Sequence, residues 1–381
     1  MKQNQKGVKM KKHALLLTLV IAVLSMSLVA QEIKISGEMW NRWTMDSGTT
    51  AADTMNTSIR SNTLSLERGY FGLEAKFTET VKGRFTVDMF STDALKDGAG
   101  LKLKYAYVDF ANVLPIPDSK ITVGLQKVYF GSIYDWDYTI IGKAPTDEYK
   151  IANSADYGIS LNGYLPSGLG DYALGIYNGE GYKNWGQNLK NNTELAYLAN
   201  VRLTPIPGLS LGGSFMTNSS EREESITTGA ANAAYNRQML ADGLARIAFG
   251  PLDLWAEYIS KSVEYLNVAA GTADYSANGL MVMPIVSLKN YLGKDIQILG
   301  RWDRWDETDN SANRNLSETV TAGINYNFMH NESAVPAMQL QLNYSNRTYD
   351  ADESAASYAN GLKDYAQLML QLKWRFSNTI K

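Results

Sequence analysis

The chain has 381 residues with 36 Lys and Arg against 39 Asp and Glu, a net charge of −3, no Cys and two His. Without cysteine there is no disulfide framework and no thiolate chemistry, and two histidines exclude a multi-His metal centre. The absence of a basic excess argues against nucleic acid as a partner.

Residues 1–30 read as a cleaved secretory signal peptide. Lys2, Lys6, Lys9, Lys11 and Lys12 form a basic start, "ALLLTLVIAVL" (14–24) an apolar middle, and "SMSLVA" (25–30) a run of small residues before a cut. The competing reading is a retained apolar anchor. Cleavage after Ala30 would remove five Lys and no acid, leaving 31 basic against 39 acidic residues, a net charge of −8, and one histidine, His330. No later apolar run reaches the ~18 residues a spanning helix needs. The chain is nevertheless rich in interfacial aromatics, with 23 Tyr and 8 Trp. An exported chain of that composition points to a barrel in an outer membrane.

Short segments with a period of two then recur to the end of the chain. They lie at 33–40, 71–77, 83–89, 106–110, 120–126, 156–165, 171–179, 194–203, 209–215, 241–249, 252–259, 280–288, 296–305, 319–328, 338–347 and 368–376. In "FGLEAKF" (71–77), Phe71, Leu73, Ala75 and Phe77 oppose Gly72, Glu74 and Lys76. In "LMLQLKWRF" (368–376), Leu368, Leu370, Leu372, Trp374 and Phe376 oppose Met369, Gln371, Lys373 and Arg375. Such alternation predicts strands with one apolar and one polar face. The weakest is 280–288, where alternation is poor and Pro284 cannot donate to a ladder except at a bulge.

The connections alternate in length. "NVLPIPDS" (112–119), "PSGLG" (166–170), "PIPG" (205–208) and "GP" (250–251) are short, whereas 46–61, 131–155, 179–192, 217–235 and 263–276 are long and polar. This sorting predicts an all-β fold: a transmembrane antiparallel up-and-down β-barrel, most naturally of 16 strands within a range of 14–18. Its long loops would be extracellular and its short turns periplasmic. The single barrel domain runs over 31–381. Its apolar faces meet the lipid bilayer, and its polar faces line water. The expected pore-lining residues are Glu38, Arg42, Glu74, Lys76, Arg84, Asp88, Asp109, Gln126, Arg202, Glu257, Arg301, Asp303, Arg347, Lys373 and Arg375.

"LERGYFGLEAKF" (66–77), "LKYAYVDF" (103–110), "ITVGLQKVYFG" (121–131), "DYALGIYNGEG" (171–181), "ILGRWDRWD" (298–306) and "AGINYNF" (322–328), in that order, resemble the phosphate-selective (O/P-type) porin family of Gram-negative outer membranes. The resemblance implies a 16-stranded barrel, often a homotrimer, that passes anions such as phosphate and is narrowed by an inward-folded third extracellular loop. That loop would be 131–155, with constriction residues Asp135, Trp136, Asp137, Lys143, Asp147, Glu148 and Lys150. Phe376 is similar to the near-terminal aromatic read by the barrel-assembly machinery.

From the residues themselves, the loop's acids outnumber its bases, which predicts weak ion selectivity. Arg301 with Asp303, Arg84 with Asp88, and Glu74 with Lys76 are candidate charge pairs. Each either shapes the field in the lumen or stiffens the wall by cross-strand pairing. Arg202, Arg347, Lys373 and Arg375 could form a basic wall opposite the acidic loop. Trp40, Trp43, Trp374, Phe376, Tyr105 and Tyr326 read as an aromatic girdle; aromatics can instead form a sugar slide inside a pore, for which Trp136 in the loop is the best candidate. The expected activity is passive diffusion of small hydrophilic solutes or ions, with no cofactor, metal or reaction. The alternatives are a plugged structural or adhesive barrel and an enzyme barrel built on His330, for which Ser333 is a poor partner.

Overall fold

The computed structural model describes residues 30–48, 59–91, 98–184, 194–220, 235–266, 274–309, 315–330, 336–351 and 364–380. Residues 1–29, nearly all of the expected signal peptide, lie outside them. Sixteen strands among the described residues close into one antiparallel barrel. In chain order they are β1 (Glu32–Gly48), β2 (Ile59–Lys76), β3 (Val81–Ser91), β4 (Ala99–Ala111), β5 (Ser119–Lys127), β6 (Ala155–Leu165), β7 (Gly170–Tyr177) and β8 (Ala196–Ile206). They continue as β9 (Leu209–Ser220), β10 (Tyr235–Phe249), β11 (Leu252–Leu266), β12 (Tyr275–Ser287), β13 (Ile296–Asp306), β14 (Asn315–His330), β15 (Pro336–Ala351) and β16 (Tyr365–Ile380). Each pairs with its neighbours in sequence, and β1 closes on β16 from Ile33↔Ile380 to Gly48↔Tyr365, so no strand edge is left open.

The alternation acts in the direction a lipid-surrounded barrel requires. On β16 the outward Leu370 and Leu372 are 39% and 37% exposed, while the inward Gln371 and Lys373 are 1% and 3% exposed. This inverts the rule for a soluble protein, in which large apolar side chains are the buried ones. Short connections gather at one end with both strand termini: 77–80, 112–118, 166–169, 207–208, 250–251 and 288–295. The last of these holds the short helix α2 (Lys289–Leu292), α1 being Pro145–Glu148. Tyr164, Phe249, Tyr291 and Phe376 are exposed at that end, and Trp374 stacks on Phe376 with ring centroids 6.2 Å apart.

Strand lengths are uneven. β5 and β7 have 9 and 8 residues, whereas β1 and β2 have 17 and 18. A membrane crossing needs ~9–11 residues, so β1, β2 and β14–β16 run past the apolar belt on the long-loop side. There both faces meet water and the sequence alternation fades, which is why β2 starts twelve residues before the segment expected at 71. β12 is a full strand despite Pro284. No register shift accompanies the proline. Its ladder to β11 is continuous through Leu254↔Pro284, while the ladder to β13 skips from Val282↔Trp302 to Ile285↔Leu299. Pro284 thus costs bridges on one side only.

The packed core lies inside the barrel, between the 128–154 connection and the inner wall of β8–β13. Val128, Phe130, Ile151 and Ala152 of the loop meet Leu198, Met216, Leu240, Ile259 and Trp305. Ile133, Trp136, Ile140 and Ala144 meet Leu244, Trp255, Met281, Met283, Ile285 and Leu299. Tyr149 stacks on Trp305 at 4.8 Å, and Trp136 meets Trp255 edge-on at 6.1 Å. Under this loop β12 is apolar on both faces, which is why 280–288 alternates poorly.

Candidate functional site

Two β-bulges on the wall facing this core set the geometry of the lumen. In β2, Trp40 of β1 pairs with Arg68 and the next residue, Asn41, pairs with Leu66, so Glu67 is the extra residue. The outward apolar positions change parity there, from Leu64 and Leu66 to Phe71, Leu73 and Ala75. Glu67 and Arg68 consequently both point inward, and Arg42 Nη1 lies 3.3 Å from Glu67 Oε2. In β4 the register shifts between Thr86↔Tyr105 and Val87↔Leu103, leaving Lys104 as the extra residue. Lys104 and Tyr105 both line the lumen. A bulge re-aims side chains, and here one brings Glu67 beside Arg68 and the other Lys104 beside Tyr105 on the inner face.

Between the two bulges stands Asp88 of β3, buried, with Arg68 Nε 3.8 Å from its Oδ1 and Tyr182 Oη 3.4 Å from its Oδ2. The Arg68 guanidinium lies 5.3, 5.4 and 6.0 Å from the ring centroids of Trp40, Tyr70 and Tyr138. It also donates to Tyr138 Oη at 3.1 Å. Trp40 and Tyr138 pack at 4.5 Å. These two rings wall both of two cavities. One, toward the long loops, has a volume of about 170 Å³ and is also lined by Arg42, Arg68, Arg301 and Arg347. The other, toward the short turns, has a volume of about 620 Å³ and is lined by Lys34, Arg84, Lys104, Lys127 and Arg375. Trp40, Tyr138 and Arg68 form the neck between them.

The 128–154 loop is tied to the wall around most of its course. Ser132 N and Oγ donate to Glu257 at 3.0 and 2.5 Å, and Gly131 N donates to Ser214 Oγ at 2.9 Å. Gly131 sits at φ +55°, and a Cβ there would collide with Glu257 Oε1, so the close approach needs glycine. Arg202 pairs with Asp135 and Arg347 with Glu148, the latter at 2.8 Å. Lys373 Nζ donates to the carbonyls of Asp137 and Tyr138 at 2.8 and 3.3 Å. Arg301 binds Asp303 through two bonds of 2.7 Å and donates a third, also of 2.7 Å, to Lys143 O.

The placement of several sequence-selected residues departs from expectation. Arg301 and Asp303 pair along one strand rather than across two, and hold the loop. Arg84 faces Glu74 at 3.7 Å, Lys76 bonds Glu79 at the short-turn rim, and Asp88 faces Arg68, so neither Arg84–Asp88 nor Glu74–Lys76 is a pair. Arg202, Arg347 and Lys373 clasp the loop instead of facing it across water, while Arg375 lies 3.7 Å from Glu38. Trp40 and Tyr105 belong to the lumen and not to a girdle: they follow the inward parity of β1 and of β4 beyond its bulge. Trp43, Trp374, Phe376 and Tyr326 take the outward parity. Trp136 is buried beneath the loop, donates to Gly142 O at 3.0 Å, and forms part of the larger cavity's wall.

Asp109 accepts from Lys120 and Thr122, and Gln126 bonds the carbonyls of Thr122 and Gly158, all on the inner face of β4–β6. Asp137 caps Thr139, whereas Asp147 lies in α1 and Lys150 just beyond it. Arg68, Lys104 and Tyr138 were not singled out from the sequence. The parity shifts in "LSLERGYF" and "LKLKYAYV" are the signals that would have found the first two.

Burial alone would raise the Glu148 carboxyl, but the Arg347 guanidinium in contact with it outweighs burial and holds it below the ordinary carboxylate range. A depressed carboxylate contributes stability above its unfolded value, ~4.3, and loses it as pH falls through the folded value. Acidification is therefore expected to release this tie, worth about 1.5–3 kcal/mol as a charge-assisted bond. Glu148→Gln should reproduce at pH 7 the loop fluctuations that the wild type shows only in acid, read as open-channel current noise. Equal noise in both proteins at pH 7 would refute the tie.

No family model matches the chain, and no curated protein matches it. Among solved structures, the loop-L8 deletion mutant of OmpT, an outer membrane protein of Vibrio cholerae, superposes with a TM-score of 0.59 at 10% identity over 90% of this chain and 99% of that one. The anion-selective porin from Comamonas acidovorans gives 0.59 at 12% identity, with 91% and 100% covered. Salmonella typhi OmpF in complex with daunomycin gives 0.55 at 12% identity, with 90% and 97% covered. At these identities the likeness is one of fold: a 16-stranded barrel of porin type.

Proposed function

We propose that this barrel sits in a bacterial outer membrane with its short turns toward the periplasm and passes small hydrophilic solutes passively, anions in preference to cations. The observation that carries the reading is the charge on the cavity walls. The smaller cavity is lined by five cations (Arg42, Arg68, Lys143, Arg301, Arg347) and three acids (Glu67, Glu148, Asp303). The larger is lined by five cations (Lys34, Arg84, Lys104, Lys127, Arg375) and two acids (Glu38, Asp137). The loop's acidity does not oppose this, because Asp135 and Glu148 are neutralised in contact by Arg202 and Arg347. Cationic linings hold anions, and phosphate is within that chemistry.

The outer-membrane porin structures support the channel reading by fold, and the trimeric form of OmpT makes a homotrimer a reasonable assembly to propose. Delivery through the barrel-assembly machinery belongs to the same reading. The smallness of the upper cavity favours one alternative, a structural barrel plugged by its own loop. A catalytic role is not proposed: His330 Nε2 bonds Asp295 at 2.8 Å at the short-turn end, and Ser333 lies outside the described residues. Purified mature protein in a planar bilayer tests the proposal. A tenfold KCl gradient should give a reversal potential of the sign set by chloride. Absence of conductance would establish the plug, and a cation-signed potential would refute the lining argument.

A further inference from the structure

We infer that the larger, periplasmic cavity is a binding site for small anions that carry an aromatic ring. The inference rests on the channel reading and narrows its solute class. The cavity's volume of about 620 Å³ is within the range of small-molecule sites. Two features of its wall select the ligand.

The first is cationic charge without a matching acid. Lys104 is 3% exposed and donates to Ser154 Oγ. Lys127 donates to the Tyr134 carbonyl at 2.8 Å. Among the described residues neither ammonium has a carboxylate within ion-pair distance, and both stand in a half-enclosed wall where their hydrogen-bond partners are neutral. Burial without a counter-charge is costly to an ammonium, and a bound anion relieves that cost.

The second feature is that the cations are interleaved with rings. Lys104 Nζ is 4.0 Å from the Tyr182 ring centroid and 5.7 Å from that of Tyr105, which also has the Arg84 guanidinium at 4.9 Å. Tyr70 and Tyr134 extend the aromatic wall beside them. An aromatic carboxylate matches both features at once, with ring against ring and carboxylate against ammonium. An aliphatic acid of the same charge satisfies only the cations, and a neutral sugar only the rings. The β4 bulge builds this pairing, because it turns Lys104 and Tyr105 to the same side in consecutive positions.

The test measures block of the chloride current by acids added on the periplasmic side of a planar bilayer. Benzoate is compared with cyclohexanecarboxylate, which has the same charge and similar size but no π-face. Ring pairing predicts half-block by benzoate at a concentration about threefold to tenfold lower. Tyr105→Leu and, independently, Tyr134→Leu should shrink that ratio toward one, while Lys104→Met should weaken block by both acids. Equal block of the wild type by the two acids, an unchanged ratio in both tyrosine variants, or tighter block by a sugar phosphate than by benzoate would each overturn the inference with the channel reading intact. Absence of any chloride current would remove the channel reading and this inference with it.

Discussion

Replacing Arg68 by glutamate is expected to convert the proposed anion preference into a cation preference. Solute passing the neck must move past the packed rings of Trp40 and Tyr138, and the Arg68 guanidinium lies 5.3 and 6.0 Å from those two rings. A unit charge ~4 Å away is worth about 1 kcal/mol where the gap is filled with bulk-like water and about 4 kcal/mol at the dielectric of a protein surface. Reversal changes the charge by two units, so even the lower figure raises the anion's barrier by about 2 kcal/mol, or roughly 30-fold in rate, and lowers a cation's similarly. Salt screens the effect, so it should be largest at ~0.01–0.1 M. Because Asp88 lies 3.8 Å from Arg68, the reversal also places two acids together. Arg68→Gln separates the two effects: it keeps a donor for Tyr138 without the charge and should give an intermediate reversal potential. An Arg68→Glu channel with unchanged conductance and an anion-signed potential would show that solute does not pass this neck.

The sequence was informative about the wall and uninformative about what the wall holds, for a physical reason. A strand between lipid and water alternates strictly, so Leu370 against Gln371, or Leu372 against Lys373, can be read directly. Alternation also gave the strand number, since turn length and apolar parity are both local properties. Where a third layer intrudes, the same rule misleads. Met281, Met283 and Ile285 are inward and apolar because Trp136, Ile140 and Ala144 cover them, and from sequence alone this resembled a poor strand interrupted by Pro284. In the sequence Trp40 and Tyr105 read as girdle residues, because aromatics near strand ends usually are. Only the β1–β2 register and the Lys104 bulge show that they face inward.

Charge pairing was the least legible feature. Arg68–Asp88, Arg202–Asp135 and Arg347–Glu148 join residues 20, 67 and 199 positions apart, and no periodicity encodes which wall a loop residue reaches. The neck was therefore recoverable only in part. The parity change across "LERG" marks a bulge, but that it aims Arg68 at Tyr138 depends on the path of a loop seventy residues downstream.

Met281→Asp is expected to unseat that loop while leaving the barrel assembled. In a water-lined lumen an inward position accepts a carboxylate at little cost, and it is the outward face, Leu280 or Val282, that resists charge. Met281 is inward, yet it is fully buried against the second loop cluster. The substitution loses about 1.5–3 kcal/mol of apolar burial and adds the several kcal/mol of a buried charge without a partner, set directly across from the carboxylates Glu257 and Asp303. Of the polar ties, Glu148–Arg347 and Arg301–Lys143 lie nearest this cluster and are each worth only about 1.5–3 kcal/mol, so the 138–148 stretch is expected to detach while Ser132–Glu257 and Arg202–Asp135 keep the start of the loop in place. Strand content by circular dichroism should be unchanged, because the ladders of β12 to β11 and β13 do not involve the side chain. Conductance should rise as the neck loses Tyr138, and trypsin should cut after Lys143 or Lys150, both exposed on the loop. Leu280→Asp, one residue away, should fail at membrane insertion instead. If Met281→Asp keeps the wild-type conductance and resists trypsin, the apolar seat is not what holds the loop, and the polar ties must carry it alone.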